Sequence, residues 1–236
     1  MPNLDQSIQV WVVPLIGQTA KAWRPVLADA EWQKAMRYRY PEDQIRSAVT
    51  RGVMRILLGQ YLSVSATEIA FVQNAHGKPA LAGNEIEFNA SHSGDYTLIA
   101  FCRQSPIGVD VEQIKGKRVV GDLAARVLSP AEYQRFSSLT EPDQKQTFFK
   151  IWTLKESVLK GIGSGLSVAP EKIEISFYPE TPMLLSADTE YIADVTDWSL
   201  QSVEIGDDRY AAAIAVQQKA PVVEIKRFES RSLGSI

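Results

Sequence analysis

The sequence of 236 residues contains one cysteine and two histidines, and this scarcity excludes several kinds of site. A single cysteine, Cys102, cannot form an internal disulfide or a cysteine-rich metal cluster. It lies in an apolar run, where we expect a small buried side chain rather than a nucleophile. The two histidines, His76 and His92, are too few for a typical catalytic zinc centre. Any bound metal is therefore expected to have oxygen ligands.

Long apolar runs and a charge excess of one sign are also missing. No apolar run approaches the roughly 20 residues of a membrane-spanning helix. The start of the chain, Met1-Pro-Asn-Leu-Asp, lacks the basic and apolar regions of a secretory signal. Lys and Arg number 25 against 28 Asp and Glu, so no basic excess indicates nucleic-acid binding. We expect a reduced, cytoplasmic, globular protein that binds neither membranes nor nucleic acid.

Apolar periodicity predicts a mixture of strands and helices. Runs rich in β-branched residues predict strands at 8–15, 86–88, 96–102, 107–111, 173–178, 198–205, 210–217 and 222–225. Helical spacing predicts helices at 29–38 and 44–61, a helical stretch from 122, and a later helix that carries Trp152. Ser129-Pro-Ala-Glu132 is typical of a helix start, with Ser at the N-cap and Glu at N3. The polar segment 89–94 is predicted to be a turn between two strands.

Two distant segments of the chain resemble each other. Both read as an apolar strand that begins with Tyr, a polar turn with Pro, and a second strand that carries an acid; they start at Tyr96 and Tyr210. A chance match of two hairpins is one explanation. The other is a duplicated α+β unit whose halves pack as a pseudo-dimer, with a boundary near residues 103–106.

One face of the predicted helix at 150–160 carries three chemically different side chains. Trp152, Glu156 and Lys160 recur every four residues and therefore share a face. A metal-bridged phosphate site needs an oxygen ligand beside a cation, and this face supplies both. The simpler explanation is a surface Glu–Lys pair, worth about 0.2–0.5 kcal/mol.

A second acidic cluster lies in the predicted strand that begins at Ile107. Asp110 and Glu112 alternate along it, so their side chains lie on one face about 6.5–7 Å apart. Two carboxylates at that spacing repel each other unless a cation lies between them. Hard oxygen ligands suit Mg²⁺ or Mn²⁺ rather than Zn²⁺. A solvated strand end with two exposed acids would explain the pattern equally well.

Taken in order, these motifs resemble those of one enzyme family. The motifs are Gly77-Lys-Pro, Ser91-His-Ser, Gly108-Val-Asp-Val-Glu112, Phe149-Lys-Ile-Trp-Thr-Leu-Lys-Glu156-Ser and Lys160-Gly-Ile-Gly-Ser-Gly-Leu. Over roughly residues 5–220 the chain resembles a 4′-phosphopantetheinyl transferase, of the long pseudo-dimeric surfactin-synthetase type rather than the short trimeric type. The resemblance implies an α+β fold in which two similar halves pack as an intramolecular pseudo-dimer. The expected divisions are 1–105, 106–228 and a flexible tail at 229–236.

The resemblance also implies an activity. Such enzymes transfer the phosphopantetheine arm of coenzyme A to a serine of an apo carrier protein and release adenosine 3′,5′-bisphosphate, with Mg²⁺, or alternatively Mn²⁺, as cofactor. The implied partners are acyl carrier proteins and the carrier domains of polyketide or peptide synthetases, bound by a monomer. Two rival hypotheses are another Mg²⁺-dependent phosphotransferase, which lacks support from any Walker or kinase signature, and a non-catalytic module that binds carriers or coenzyme A.

By match to the family motifs, roles are implied for individual residues. Asp110, Glu112 and Glu156 would hold the metal, and the catalytic residues would be Glu156, Lys160 and His92. Glu156 would take the serine proton directly or through a metal-bound water, and Lys160 would bind the reacting phosphate. Coenzyme A would be bound by Lys34, Arg37, Arg46, Lys78, Ser91, His92, Lys155 and Lys160.

Three further expectations concern neighbouring residues. Lys155 is expected to have a supporting role, while Trp152 is expected to pack rather than to bind a ligand. Glu132 matches a supporting acid of the family, although its position in a capping box explains it about as well. The segment 114–123 mixes basic and apolar residues and is the expected docking surface for an acidic carrier protein.

Overall fold

A computed structural model of the chain describes residues 4, 7–73, 77–83, 86–115, 120–163, 168–176 and 181–229. The strands are β1 Ile8–Pro14, β2 Phe71–Gln73, β3 Pro79–Leu81, β4 Ile86–Ser93, β5 Tyr96–Arg103, β6 Ile107–Gln113, β7 Glu174–Ser176, β8 Met183–Ser186, β9 Ser199–Ser202, β10 Tyr210–Val216 and β11 Val223–Arg227. The α-helices are α1 Asp29–Met36, α2 Pro41–Leu62, α3 Val120–Val127, α4 Pro130–Ser137 and α5 Glu141–Ile162. Short 3₁₀ helices lie at Ala20–Val26, Ala66–Glu68, Pro170–Lys172 and Val195–Asp197.

Two main sheets repeat the same topology. In the first, β5 lies between β1 and β4; in the second, β10 lies between β6 and β9, and all four pairings are antiparallel. The first sheet gains β11, which pairs in parallel with the free edge of β1. In each half, therefore, the last of these three strands along the chain is the central strand of the sheet.

The long helices of the two halves also correspond. Each has 22 residues, and each is followed by a residue in the left-handed conformation, Ser63 (φ 56°) in one case and Gly163 (φ 72°) in the other. Because α2 starts at Pro41 and α5 at Glu141, residues that differ by 100 in number are equivalent. By the same reasoning β6 residues follow β1 residues by 99, and β10 residues follow β5 residues by 114.

The core between the two sheets is built largely from equivalent residues. The buried pairs are Ile8 with Ile107, Val10 with Val109, Val12 with Val111, Leu98 with Ala212, Ala100 with Ile214, and Cys102 with Val216. At one end of this core the equivalent tyrosines, Tyr96 and Tyr210, meet edge to face with ring centroids 5.0 Å apart. The repeated segments are thus two halves of a pseudo-dimer, as the duplication hypothesis predicted, and not a chance match.

The outer faces of the two sheets are covered by the two long helices. In the first half α2 packs on a core that includes Trp23, Phe88 and Phe101. In the second half α5 packs on β6 and β10 through a core that includes Leu154, Val158 and Ala213. Within the described ranges, no helix is both long enough and apolar enough to cross a membrane. The architecture is the predicted mixture of helices and antiparallel sheets.

Some boundaries differ from the prediction. Residues 89–93 belong to β4 rather than to a turn, because they pair with β5 along its whole length; the turn shrinks to Gly94 (φ 52°) and Asp95. The second helix starts at Pro41, before the predicted residue 44, since proline is favoured in the first helical turn. The proposed division near residue 105 stays a prediction, and β11 joins the sheet of the first half.

Candidate active site where β4 meets β6

The two sheets approach each other along β4 and β6, which side chains bridge. Ser91 Oγ donates to Asp110 Oδ1 at 2.7 Å, and Ser93 Oγ donates to Glu112 Oε2 at 2.9 Å. One step earlier, Val109 N donates to Asn89 Oδ1 at 3.0 Å. The period-two spacing of the acids on β6 thus matches the period-two spacing of the hydroxyls on β4. We call this line of contact the β4–β6 seam.

Two glycines bring α5 close to β6. A Cβ atom at Gly108 would lie 1.9 Å from the carbonyl oxygen of Ser157 and 2.4 Å from the backbone nitrogen of Gly161. No side chain fits in that space, so the backbones touch only because both positions lack one. A Cβ atom at Gly161 would lie 2.7 Å from the ring of Trp198. This close approach carries the acids of β6 to the same place as the polar face of α5.

Lys160 forms an ion pair with the first acid of the seam. Its Nζ lies 2.6 Å from Asp110 Oδ1 and 2.8 Å from Ser91 Oγ. The side chain of Asp110 is 3% exposed, and its second oxygen, Oδ2, is buried without a hydrogen-bond partner among the described residues. A buried carboxylate oxygen left unpaired is costly, which marks Oδ2 as an acceptor for something that the site binds.

The other two carboxylates of the cluster carry perturbed pKa values. Burial and the charge of Asp110 raise the pKa of Glu112, although hydrogen bonds from Ser93 and Trp152 oppose this shift. Burial and Asp110 also raise the pKa of Glu156, whereas the nearby Lys160 lowers it. Both glutamates therefore experience the negative charge of Asp110, and Lys160 supplies a single positive charge to the three carboxylates.

The chemistry of this cluster fits a hard divalent cation. Three carboxylates and an unpaired buried oxygen are the donors that Mg²⁺ or Mn²⁺ prefers. Across the described ranges, however, no three His, Cys, Asp or Glu side chains lie close enough together to hold an ion as they stand. Lys160 compensates Asp110 instead. Ion binding at Asp110, Glu112 and Glu156 therefore stays a prediction that the donor set supports.

A cavity of about 260 Å³ opens beside the seam and contains several of the predicted basic residues. Lys34 from α1, Arg46 from α2 and His92 from β4 line it. Burial, then the charge of Arg46, and more weakly that of Lys160 lower the pKa of His92, which favours the neutral imidazole. The cavity and the acidic cluster are therefore neighbours, joined through His92.

Two predicted residues lie elsewhere or have other partners. Arg37 is exposed at the end of α1 and is not part of the cavity lining. Lys78 lies before β3 and donates to the carbonyl oxygens of Ile107 (3.2 Å) and Gly161 (3.4 Å), which ties it to the β6–α5 contact. It also lines a cavity of about 490 Å³ with Trp152 and Glu156. Contact of Lys78 with coenzyme A stays a prediction.

Lys155 points away from the seam. Its side chain is 0% exposed, and its Nζ contacts Glu132 Oε2 at 2.6 Å, the carbonyl oxygen of Val127 at 2.7 Å and that of Pro170 at 3.0 Å. Glu132 also accepts from the backbone of Ser129 and Ile175. The structure thus does not bring Lys155 to the other predicted residues, and the pair explains its supporting role as structural.

Two features of this region could not be selected from the sequence alone. Gly108 appeared there only as part of a motif, and its contact with α5 requires the fold. Arg51 lines the 260 Å³ cavity, although it belongs to none of the sequence motifs. Of the predicted docking segment, residues 116–119 lie outside the described residues. In its described part Lys115 is exposed and Leu123 is 42% exposed.

Comparison with known proteins identifies similar chains. A family model described as the 4′-phosphopantetheinyl transferase superfamily matches residues 106–215, and one described as 4′-phosphopantetheinyl transferase, N-terminal, matches residues 17–104. The chain is 32% identical over 224 residues to the 4′-phosphopantetheinyl transferase HetI of Nostoc sp., and the alignment covers 91% of each chain. It is 27% identical over 168 residues to the 4′-phosphopantetheinyl transferase Sfp of Bacillus subtilis, over 71% of this chain and 74% of Sfp.

One solved structure aligns with part of the chain. A holo-(acyl-carrier-protein) synthase from Bacillus anthracis aligns with 49% of this chain and 96% of its own, at 20% identity and a TM-score of 0.40.

Proposed function

The chain belongs to the 4′-phosphopantetheinyl transferase superfamily, and we propose that it transfers the phosphopantetheine arm of coenzyme A to a serine of an apo carrier protein. The observation that carries this proposal is the meeting of Asp110, Glu112 and Glu156 with Lys160 at the β4–β6 seam. Acids and a cation side by side suit a pyrophosphate and its metal ion.

In the proposed reaction, the serine oxygen of the carrier forms a bond to the phosphorus that bears the pantetheine arm. The bond from that phosphorus to the bridging oxygen of the pyrophosphate breaks, and adenosine 3′,5′-bisphosphate leaves. Glu156 accepts the serine proton, and its raised pKa brings its basicity closer to that required at neutral pH. Lys160 binds the reacting phosphate, since its ammonium is already at the seam.

The remaining predicted residues hold the coenzyme. Asp110, Glu112 and Glu156 would bind Mg²⁺ or Mn²⁺, which would neutralise charge on the pyrophosphate and fix its orientation. A neutral His92 can donate one hydrogen bond to a phosphate oxygen. Ser91 accepts a hydrogen bond from Lys160 and would thus hold that ammonium near the phosphate. Lys34 and Arg46 line the adjoining cavity, where they would contact the 3′-phosphate.

Incubation of the protein with coenzyme A, Mg²⁺ and an apo acyl carrier protein tests the proposal. Mass spectrometry of the carrier should show the gain of one phosphopantetheine arm, together with release of adenosine 3′,5′-bisphosphate. Glu156→Gln should lower the rate by about 10²–10⁴-fold, the range for removal of a general base. Binding of carrier without any mass gain would instead support a non-catalytic module, and full activity of the variant would refute the role of Glu156.

We infer that the carrier protein docks on the segment 114–123, which follows β6 directly. The described part offers an exposed cation, Lys115, and a half-exposed apolar side chain, Leu123. Acidic carriers would be attracted electrostatically, and such contacts act mainly on association. Lys117→Glu combined with Arg118→Glu should raise the KM for carrier and leave that for coenzyme A unchanged. An unchanged KM for carrier would contradict this surface. A cytoplasmic monomer remains our inference from composition and family resemblance.

A further inference from the structure

Arg51 is a cation of the 260 Å³ cavity that none of the family motifs contains. It lies on α2 and lines the cavity together with Lys34, Arg46 and His92. Its side chain is 22% exposed, so the guanidinium is largely removed from water. Because a desolvated cation is costly without a compensating anion, the partners of Arg51 decide whether it has a binding role.

The negative charges near the cavity leave Arg51 poorly compensated. Asp43 Oδ1 already pairs with Arg46 Nη1 at 2.6 Å. Glu31 Oε2 accepts from Arg55 Nε at 2.7 Å and from a backbone amide at 2.9 Å. Arg51 Nε is left with the other oxygen of the same carboxylate at 3.5 Å, which is longer than a good hydrogen bond. Two guanidinium groups thus share one carboxylate, and one positive charge is left over.

The guanidinium of Arg51 is also held in a fixed plane. Its central carbon lies 4.2 Å from the centroid of the Phe71 ring, and the guanidinium of Arg55 approaches the same ring at 5.4 Å. Burial lowers the pKa of Arg51, as does the charge of Arg55, and Glu31 opposes the shift. A stacked, planar guanidinium loses little freedom when it binds a phosphate through two N–H groups, so the arrangement is prepared for such a ligand.

We propose that Arg51 is a specificity-determining residue that binds the 3′-phosphate of coenzyme A and so distinguishes it from dephospho-coenzyme A. This assignment rests on the proposed transfer reaction. With the pyrophosphate at the β4–β6 seam, the 3′-phosphate is the remaining phosphate group of the coenzyme. The cavity beside His92 adjoins the seam, and Arg51 supplies there the charge that Glu31 does not compensate.

The test compares coenzyme A with dephospho-coenzyme A as donor, in steady-state transfer to an apo acyl carrier protein. The wild type should have a KM for coenzyme A at least about tenfold lower than for dephospho-coenzyme A. Arg51→Gln should raise the KM for coenzyme A by about 10–100-fold, the range for a lost charge-assisted hydrogen bond, and change that for dephospho-coenzyme A less than threefold. Arg51→Lys should retain part of the preference for coenzyme A, because lysine keeps the positive charge but lacks the planar guanidinium.

Two further variants separate binding from structure. Arg51→Met keeps an unbranched stem against Phe71 and should lose the preference as Arg51→Gln does. Arg135→Gln removes an exposed arginine of α4 that is not part of the cavity lining, and it should change neither KM. Equal KM values of the wild type for the two donors would overturn the proposal, and so would an equal rise for both donors in the Arg51 variants.

Calorimetry distinguishes failure of this inference from failure of the proposed function. Adenosine 3′,5′-bisphosphate and AMP are titrated into wild type and Arg51→Gln without any carrier protein. The wild type should bind the bisphosphate at least about tenfold more tightly, and the variant should bind the two nucleotides alike. If the wild type transfers nothing but shows this difference, the proposed reaction fails and the role of Arg51 stands. If transfer occurs and the difference is absent, the proposed reaction stands and the role of Arg51 fails.

Discussion

The two halves of the molecule share a topology but differ in how the long helix packs against the first strand. In the second half, Gly108 of β6 and Gly161 of α5 allow the backbones to touch. The equivalent positions in the first half are Gln9 of β1 and Tyr61 of α2, whose side chains meet in a 2.7 Å hydrogen bond. In the first half, therefore, side chains fill the space between strand and helix, whereas in the second half the two backbones are in direct contact. Only the direct contact brings an acidic strand beside a charged helix face.

The polar cluster has no counterpart at the equivalent positions. Where the second half has Asp110 and Glu112 on β6 and Glu156 and Lys160 on α5, the first half has Trp11, Val13, Ile56 and Gln60. Where β4 has its two serines, the chain after β9 has buried Val203 and Ile205, which face β10 in the same register. In addition β11 covers the free edge of β1. Among the residues that the structure describes, the pseudo-dimer therefore has one such seam.

A second shared device, a buried ion pair, is present in both halves. Glu132 with Lys155 in the second half corresponds to Glu31 with Arg55 in the first, and in each case the acid caps the short helix before the long one. The second pair is sealed, with side chains 5% and 0% exposed. Glu31 is 17% exposed and shared with Arg51, next to the cavity. The same contact is therefore purely structural in one half and part of a candidate binding site in the other.

The largest expected effect comes from disrupting the backbone contact of the second half. Gly108→Ala places a Cβ atom against the backbone of Ser157, which cannot yield as a flexible side chain would. We expect a loss of about 4–5 kcal/mol in the free energy of unfolding, measured by urea denaturation, together with loss of transfer activity. Gln9→Ala at the equivalent position removes a buried side chain and the acceptor of Tyr61 but forces no backbone apart, so it should cost less, about 1–3 kcal/mol. Similar losses in both variants would contradict the difference between the halves.

Breaking the sealed ion pair is the next largest effect. Lys155→Met leaves the buried carboxylate of Glu132 without its cation, which should cost about 3–5 kcal/mol of unfolding free energy. Arg55→Met should cost less, since Arg51 can still compensate Glu31 and water reaches it. Urea denaturation of both variants measures the difference. Recovery of stability in Glu132→Gln/Lys155→Met would support the ion pair as the cause, while a larger loss for Arg55→Met would reverse our ranking.

Removing the charge at the end of α5 tests its role in transfer. Lys160→Ala should lower the kcat of transfer by about 10²–10³-fold, as for loss of a group that stabilises developing charge. Gln60→Ala, an exposed position at the equivalent place on α2, should leave kcat unchanged. The assay uses coenzyme A, Mg²⁺ and apo carrier. A variant Lys160→Ala that retains full kcat would refute its assigned contact with the reacting phosphate.

The smallest effect tests the repulsion within the acidic cluster. Burial and Asp110 raise the pKa of Glu112 in the folded state, so its ionised form is disfavoured there. Stability linked to the neutral form is present below the ordinary pKa of a glutamate and lost as the pH rises through the raised value. Without divalent metal, Glu112→Gln should therefore raise the melting temperature by a few degrees at pH 7 and by less at pH 4.

The equivalent Val13 carries no charge, so the first half offers no such gain. Mg²⁺ with coenzyme A should raise the melting temperature of the wild type more than that of Glu112→Gln. Identical melting temperatures of wild type and variant at pH 7 in EDTA would show that Glu112 experiences no net repulsion.

Much of this site followed from local spacing in the sequence. Period two placed Asp110 and Glu112 on one face of a strand, and period four placed Glu156 and Lys160 on one face of a helix; both expectations hold in the structure. The helix start at Ser129 is confirmed, because Ser129 and Glu132 cap each other as predicted. The repeated strands at Tyr96 and Tyr210 correctly indicated two halves. Each of these patterns depends on contacts within a few residues.

What the sequence could not determine depends on packing between distant segments. Lys155 and Lys160 are both lysines on α5, and only the tertiary structure directs the first to Glu132 and the second to Asp110. Pairing with β5 extends β4 through the predicted turn, because long-range backbone hydrogen bonds outweigh weak local propensity. Likewise the contact of Gly108 with α5, and the sharing of Glu31 by two arginines, arise only when the helices lie on their sheets. The local sequence therefore determines which charged side chains share a strand or helix face, and tertiary packing determines which of them are in contact.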